Sequence, residues 1–197
     1  NKGAIEGAEQ IKKFYDNKVL PTGIIGEQGT TVLDSLFTEG KAAAVISGPW
    51  NLAPFKEANI DYGVKELPLL NNGKHMGSFI GVKSYNVSSY SKNAELAEEF
   101  VTFITNEENS KVRYEKTQEV PAVAALAEDS SVKESEGAMA IAEQSKYAEL
   151  TPGITEMDSV WKPIDAALQT IATGKVEVKK ALDQAVGQIE SSIAANQ

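Results

Sequence analysis

The sequence has no cysteine, one histidine and two tryptophans. Without cysteine there is no disulfide scaffold, no thiolate metal site and no cysteine nucleophile. Basic charge is also short: 19 Lys and Arg stand against 28 Asp and Glu, for a formal net charge of −9. A nucleic-acid or anionic-membrane partner needs the reverse, a basic footprint that neutralises phosphates and releases counterions. A neutral or cationic ligand fits better. No apolar run approaches the roughly 20 residues of a membrane span, and the amino end shows neither a charged nor an apolar signal region. Walker A, G-x-S-x-G and H-E-x-x-H motifs are missing, and Gly23, Gly26 and Gly29 have the wrong spacing for a dinucleotide fingerprint. No cofactor and no metal are expected. His75, in the turn "NNGKHMG", reads as a solvated surface residue without an acid–base partner.

What is present is ordinary globular composition, 42% hydrophobic and 24% charged. Apolar residues at spacings of three and four predict helices over 3–17 (Ile5, Ala8, Ile11, Tyr15) and 31–39, the latter stopped by Gly40. Strands are expected at 42–47, in "DYGVKELPLL" up to Pro68, and in "SFIGVKSYNVSS". Beyond these the chain reads as helical. "SKNAELAEEFVTFITN" carries a stripe of Leu96, Ala97, Phe100, Val101 and Ile104, and further helices are expected at 107–117, 121–127, 136–148, 156–173 and 177–195. The last has Leu182, Val186, Ile189 and Ile193 as its expected buried seam. Strands alternating with helices argue for a layered α/β fold, although three strands make a thin sheet. The abrupt opening "NKGAIEGAEQ", at the start of a helix, suggests that an upstream part is missing. "AEDSSVKESEG" is the most polar stretch and the candidate crossing between lobes.

Carboxylates are abundant, so a glycosidase pair is not excluded by counting. Glu95, Glu98 and Glu99 read as a solvated helix face, whereas Glu27, Asp34 and Glu39 flank a Gly-rich loop where they would meet polar ligand groups. The tryptophans are more informative. Trp161 shares a helical stripe with Met157, Ile164 and Leu168, which favours core packing on periodicity alone. Trp50 follows the Gly48-Pro49 break in "AAAVISGPWNLAPF". A turn tip is a poor core anchor but suits a flat apolar platform for the C–H face of a sugar.

The segments "FTEGKAAAVISGPW", "YGVKELP", "FIGVKS", "NAELAEEF" and "PGITEMDSVW", with the "N-x-G-A" helix start at Asn1, match in order and spacing along nearly the whole chain. On these the chain resembles the carboxy-terminal half of the maltose/maltodextrin-binding proteins, extracellular solute-binding proteins of ABC importers. The resemblance implies a two-lobed, type II periplasmic-binding-protein-like α/β fold, of which this chain is mostly the second lobe. Residues 1–82 and 132–197 would belong to that lobe, and 83–131 would cross over to complete the first. It implies a non-enzymatic protein that binds maltooligosaccharides by stacking on Trp50 and Trp161, with Met157 and Glu156 also at the ligand. The implied partners are the sugar, the permease subunits and the missing amino-terminal half, in a monomer that is extracytoplasmic, periplasmic or lipid-anchored at the surface. A different oligosaccharide or small solute, and a carboxylate-pair hydrolase, are the alternatives. The family has aromatic or apolar residues where this sequence has Thr30, Thr151 and Lys162, which leaves the subsites open.

Overall fold

The computed structural model describes residues 1–26 and 28–196, so Glu27 lies outside the described residues. The chain divides into two compact units, 1–45 with 152–197 and 46–151.

The first unit is helical among the described residues. It contains α1 (Lys2–Asp16), α2 (Gly29–Thr38), and, from the far end of the chain, α8 (Trp161–Ala172) and α9 (Val178–Ala195). Each helix has a local cause. The Asn1 side chain accepts from the Ala4 amide at 2.9 Å and caps α1, while Glu177 accepts from the Lys179 and Lys180 amides and caps α9. Small side chains then let the helices approach closely: Ala8, Ala167, Ile171, Val178, Ala181 and Ala185 form the core, with Ile5, Ile164, Val176 and Leu182 packed around it. Val178, Ala181 and Ala185, rather than the expected apolar seam, are the wholly buried positions of α9, and Val186 is 49% exposed. The seam is rotated because alanine fits the narrow gap against α8 and the larger side chains flank it.

The second unit contains α3 (Leu52–Glu57), β1 (Ser78–Ile80), α4 (Ala94–Thr105), α5 (Glu107–Thr117), α6 (Ser130–Lys133), α7 (Glu136–Ser145) and β2 (Ala148–Leu150). β1 and β2 pair in parallel, with Ser78 opposite Ala148 and Ile80 opposite Leu150. Gln144 holds this pair to the preceding chain: its amide donates to the Met76 carbonyl at 3.0 Å and to Ser78 Oγ at 3.2 Å, and its Oε1 accepts from the Leu67 amide at 2.9 Å. Tyr114, Val132 and Ala138 form a small core, and the Tyr114 hydroxyl donates to the Ser131 carbonyl at 3.0 Å.

The helices predicted from periodicity are present, with short differences at their ends. The stretch at 121–127 is instead a 3-10 helix at Ala124–Glu128, and the long helix expected from 156 is a 3-10 turn, Thr155–Ser159, followed by α8. The strands differ more. Residues 42–47 are irregular, 61–68 form no ladder, Leu69 makes one isolated bridge with His75, and the third expected strand is reduced to β1. A strand needs a partner for its amides and carbonyls, and among the described residues 42–47 have none in a ladder. α4 also departs from expectation: Leu96, Phe100 and Phe103 are exposed, and only Ala97, Val101 and Ile104 of its apolar positions are half-buried.

Candidate functional site

Trp50 lies in the second unit, on a 3-10 turn at Pro49–Asn51 that leads directly into α3. Proline at the first position presets the turn, and the Asn51 amide closes it on the Gly48 carbonyl at 3.1 Å. Asn51 is buried, and its side-chain amide donates to Ser47 Oγ at 2.8 Å, tying the two ends of the turn together. Below it, Phe55 is buried edge-on against Tyr62, with ring centroids 5.9 Å apart. The Tyr62 hydroxyl donates to the Leu52 carbonyl at 2.9 Å. The turn is thus anchored on its inner side while the indole of Trp50 stays 56% exposed. A large aromatic surface held this way keeps the ring available to a ligand without the entropy loss of a mobile loop.

Trp161, Met157 and Glu156 lie in the first unit. Met157 and Glu156 belong to the 3-10 turn Thr155–Ser159, and Trp161 is the first residue of α8. The Val160 amide donates to the Met157 carbonyl at 3.1 Å, and Ser192 Oγ donates to Ser159 Oγ at 3.2 Å, linking the turn to α9. Met157 is half-buried and Glu156 exposed, with its carboxylate accepting from the Thr155 hydroxyl at 3.2 Å. Trp161 is 44% exposed, so the core-packing reading of its stripe is corrected. Ile164, Ala167 and Ile171 carry the packing of α8, which Trp161 begins.

The other candidates fall elsewhere. Glu39 pairs with Lys41 at 2.5 Å, and Asp34 is half-buried on α2. Glu95, Glu98 and Glu99 are all exposed on α4. His75 is exposed but not isolated: its ring stacks on Tyr147, with centroids 3.5 Å apart and planes 7° from parallel. That contact spans two distant segments and had no sequence signal. Among the described residues no group of three or more His, Cys, Asp or Glu converges as a metal site. Of the positions that depart from the family pattern, Thr151 is committed to β1, its amide and hydroxyl both donating to the Ile80 carbonyl at 3.1 and 3.2 Å, and Lys162 and Thr30 are exposed. Gly48 carries no sequence signal beyond that of a strand breaker.

Comparison with known proteins places the chain in a family. The family model described as bacterial extracellular solute-binding protein matches residues 1–140. A galactooligosaccharide-binding protein of Bacillus subtilis is 59% identical over 99% of this chain and 46% of its own length. The maltodextrin-binding protein MdxE of the same organism is 34% identical over 98% of this chain and 46% of its own. Among solved structures, MalX from Streptococcus pneumoniae in complex with maltopentaose superposes with a TM-score of 0.91 at 34% identity, covering 98% of this chain and 51% of that one. The maltose-binding protein MalE from Listeria monocytogenes in complex with maltose gives 0.85 at 36% identity, over 100% and 51%. The fold is therefore of the type II periplasmic-binding-protein-like class, and the chain spans about half the length of the curated relatives it matches. With its family model matched over most of its length, this chain belongs to the bacterial extracellular solute-binding proteins.

Proposed function

We propose that this chain is the sugar-binding part of an ABC importer's solute-binding protein, and that its ligand is a galactooligosaccharide. The observation that carries the reading is the exposed indole of Trp50 on a turn anchored by buried groups, in a chain of this family. Trp161, at the first turn of α8, supplies a second platform, with Met157 and Glu156 one turn away. An aromatic face matches the C–H face of a pyranose, and hydroxyls at its rim take hydrogen bonds from polar groups. A net charge of −9 does not oppose a neutral sugar.

The relative at 59% identity, itself named for galactooligosaccharide, supports that class of ligand. A second reading, a maltooligosaccharide, is supported by relatives and structures at 34 to 36% identity that are named for or solved with such sugars. Thr30, Thr151 and Lys162 replace aromatic or apolar surface of the maltodextrin pattern and weigh against it.

In the proposed mechanism residues 1–82 and 132–197 build one lobe, and 83–131 cross to complete the other. The exposed face of α4 at Leu96, Phe100 and Phe103 is the surface that such a completion covers. The sugar favours the closed form because it binds that form better, and the closed form delivers it to membrane permease subunits. The protein works as a monomer outside the cytoplasmic membrane, lipid-anchored as relatives named as lipoproteins are. No bond of the sugar is broken.

Calorimetric titration of the complete protein with galactotriose, maltotriose and galactose tests this, with the recovered sugar analysed afterwards. The expected result is saturable binding of galactotriose, weaker binding of maltotriose, and unchanged sugar. Tighter maltotriose binding would favour the second reading, and released monosaccharide would favour a hydrolase.

A further inference from the structure

Gly48 has extended backbone angles, φ −141° and ψ −177°, which any residue adopts. Its lack of a side chain therefore has another cause, and the space around it shows one. A Cβ placed on Gly48 would fall within contact distance of Cη2 and Cζ3 of the Trp50 ring, and 2.8 Å from its Cε3. It is equidistant from the first two and farther from the third, so it lies over the face of the six-membered ring rather than at its edge. The indole thus fills the volume that a side chain at position 48 would occupy, with one face on the Gly48 backbone.

We infer that Gly48 is a positioning residue for the sugar platform, holding Trp50 so that one indole face is closed by backbone and the other is presented to a single pyranose ring. The inference rests on the reading of Trp50 as a stacking residue. Three features act together. The Asn51 to Ser47 hydrogen bond and the Asn51 amide on the Gly48 carbonyl fix the turn, Pro49 fixes its entry angle, and Gly48 leaves room for the ring to lie back. The ring is thereby seated before any ligand arrives, and preorganisation of this kind lowers the ordering cost of binding. A methyl group at position 48 obstructs that seat. The neighbouring turn is anchored to Phe55 and Tyr62, so the exposed indole rotates away rather than the backbone.

The test uses the complete protein and the variants Gly48→Ala, Gly48→Ser, Trp50→Ala and Gly48→Ala/Trp50→Ala, with thermal unfolding of each. Affinity for galactotriose and maltotriose is measured by calorimetry. Gly48→Ala and Gly48→Ser should each weaken binding about tenfold or more, the loss of about 1.4 kcal/mol of stacking. Trp50→Ala should weaken it at least as much, and adding Gly48→Ala to Trp50→Ala should change nothing further. Such non-additivity marks a residue that acts through the indole. Independently of any sugar, near-ultraviolet circular dichroism and acrylamide quenching of Trp50, each taken as the difference from the matching Trp50→Phe protein, should change on Gly48→Ala. An unchanged spectrum and unchanged quenching, or a Gly48→Ala loss that persists in full without Trp50, would overturn the inference. If instead Trp50→Ala leaves affinity intact, the stacking reading fails, while the optical measurement still decides whether Gly48 seats the ring.

Discussion

Ile171 is fully shielded from solvent in the core that joins α1, α8 and α9, and its truncation to alanine gives a quantitative test of that core. The substitution removes three carbon groups, worth about 2.4 kcal/mol at about 0.8 kcal/mol each in transfer from water. Four of the five other buried members of its cluster, Ala8, Ala167, Ala181 and Ala185, have no side-chain torsions with which to refill the space. The cavity term is therefore retained, and the total falls at about 3–5 kcal/mol, the upper part of the range for such truncations. Ile171→Val, which removes one carbon, should cost about 1 kcal/mol. Urea unfolding of the complete protein is the assay, followed by the fluorescence that Trp161 contributes, taken as the difference from the matching Trp161→Phe protein, because Trp161 begins the same helix. The transition reported by Trp161 should move to lower urea with an unchanged slope, since the surface exposed on unfolding is the same. A loss below about 1 kcal/mol for Ile171→Ala would refute the reasoning, because it would mean that the alanine-lined site collapses freely.

Four further outcomes are expected. Gly29→Ala should destabilise α2 by about 1–3 kcal/mol, since overpacking against rigid atoms is not relieved by rotamers; the added Cβ meets the Ile24 carbonyl oxygen and lies 2.9 Å from its carbon. By contrast Gly187→Ala, in open space on α9, should stabilise by about 0.5–1 kcal/mol, and both are read from the urea midpoint. Asp129, held down to about 2 by the Lys111 ammonium and the Ser131 hydroxyl and amide, has a folded pKa below its ordinary 3.8. Its contribution is thus fully present above the unfolded value and is lost as pH falls through the folded one, so Asp129→Asn should flatten the decline of stability between pH 4 and pH 2. Trp50→Ala should leave the thermal midpoint nearly unchanged, because the ring is mostly exposed, while weakening sugar binding; a large fall in the midpoint would reveal a structural role instead.

The helices were legible in the sequence because their signal is local. A 3.6-residue apolar period and capping residues such as Asn1 and Glu177 act within one or two turns. Strands depend on partners far along the chain. "AAAVIS" has the composition of a strand but no ladder partner among the described residues, whereas β2, only "AEL", is a strand because β1 lies beside it. Likewise Val186 was read as buried from its period, but which face of α9 is covered depends on the alanines of α8 and α9, which periodicity weights lightly. At the site, the exposed Trp50 was readable from its place after Gly48-Pro49, and exposure of Trp161 was expected only through the family resemblance. The seating of the Trp50 ring on Gly48, the Asn51 to Ser47 tie and the His75–Tyr147 stack were not readable, since each depends on side-chain directions rather than on residue order.

The most direct test of the central claim is a calorimetric titration of galactotriose into the complete wild-type protein and into Trp50→Ala/Trp161→Ala. One saturable site is expected in the wild type and its loss in the double variant, with both proteins folded by circular dichroism. Equal binding by the two, or no binding of galactotriose or maltotriose by the wild type, would contradict it.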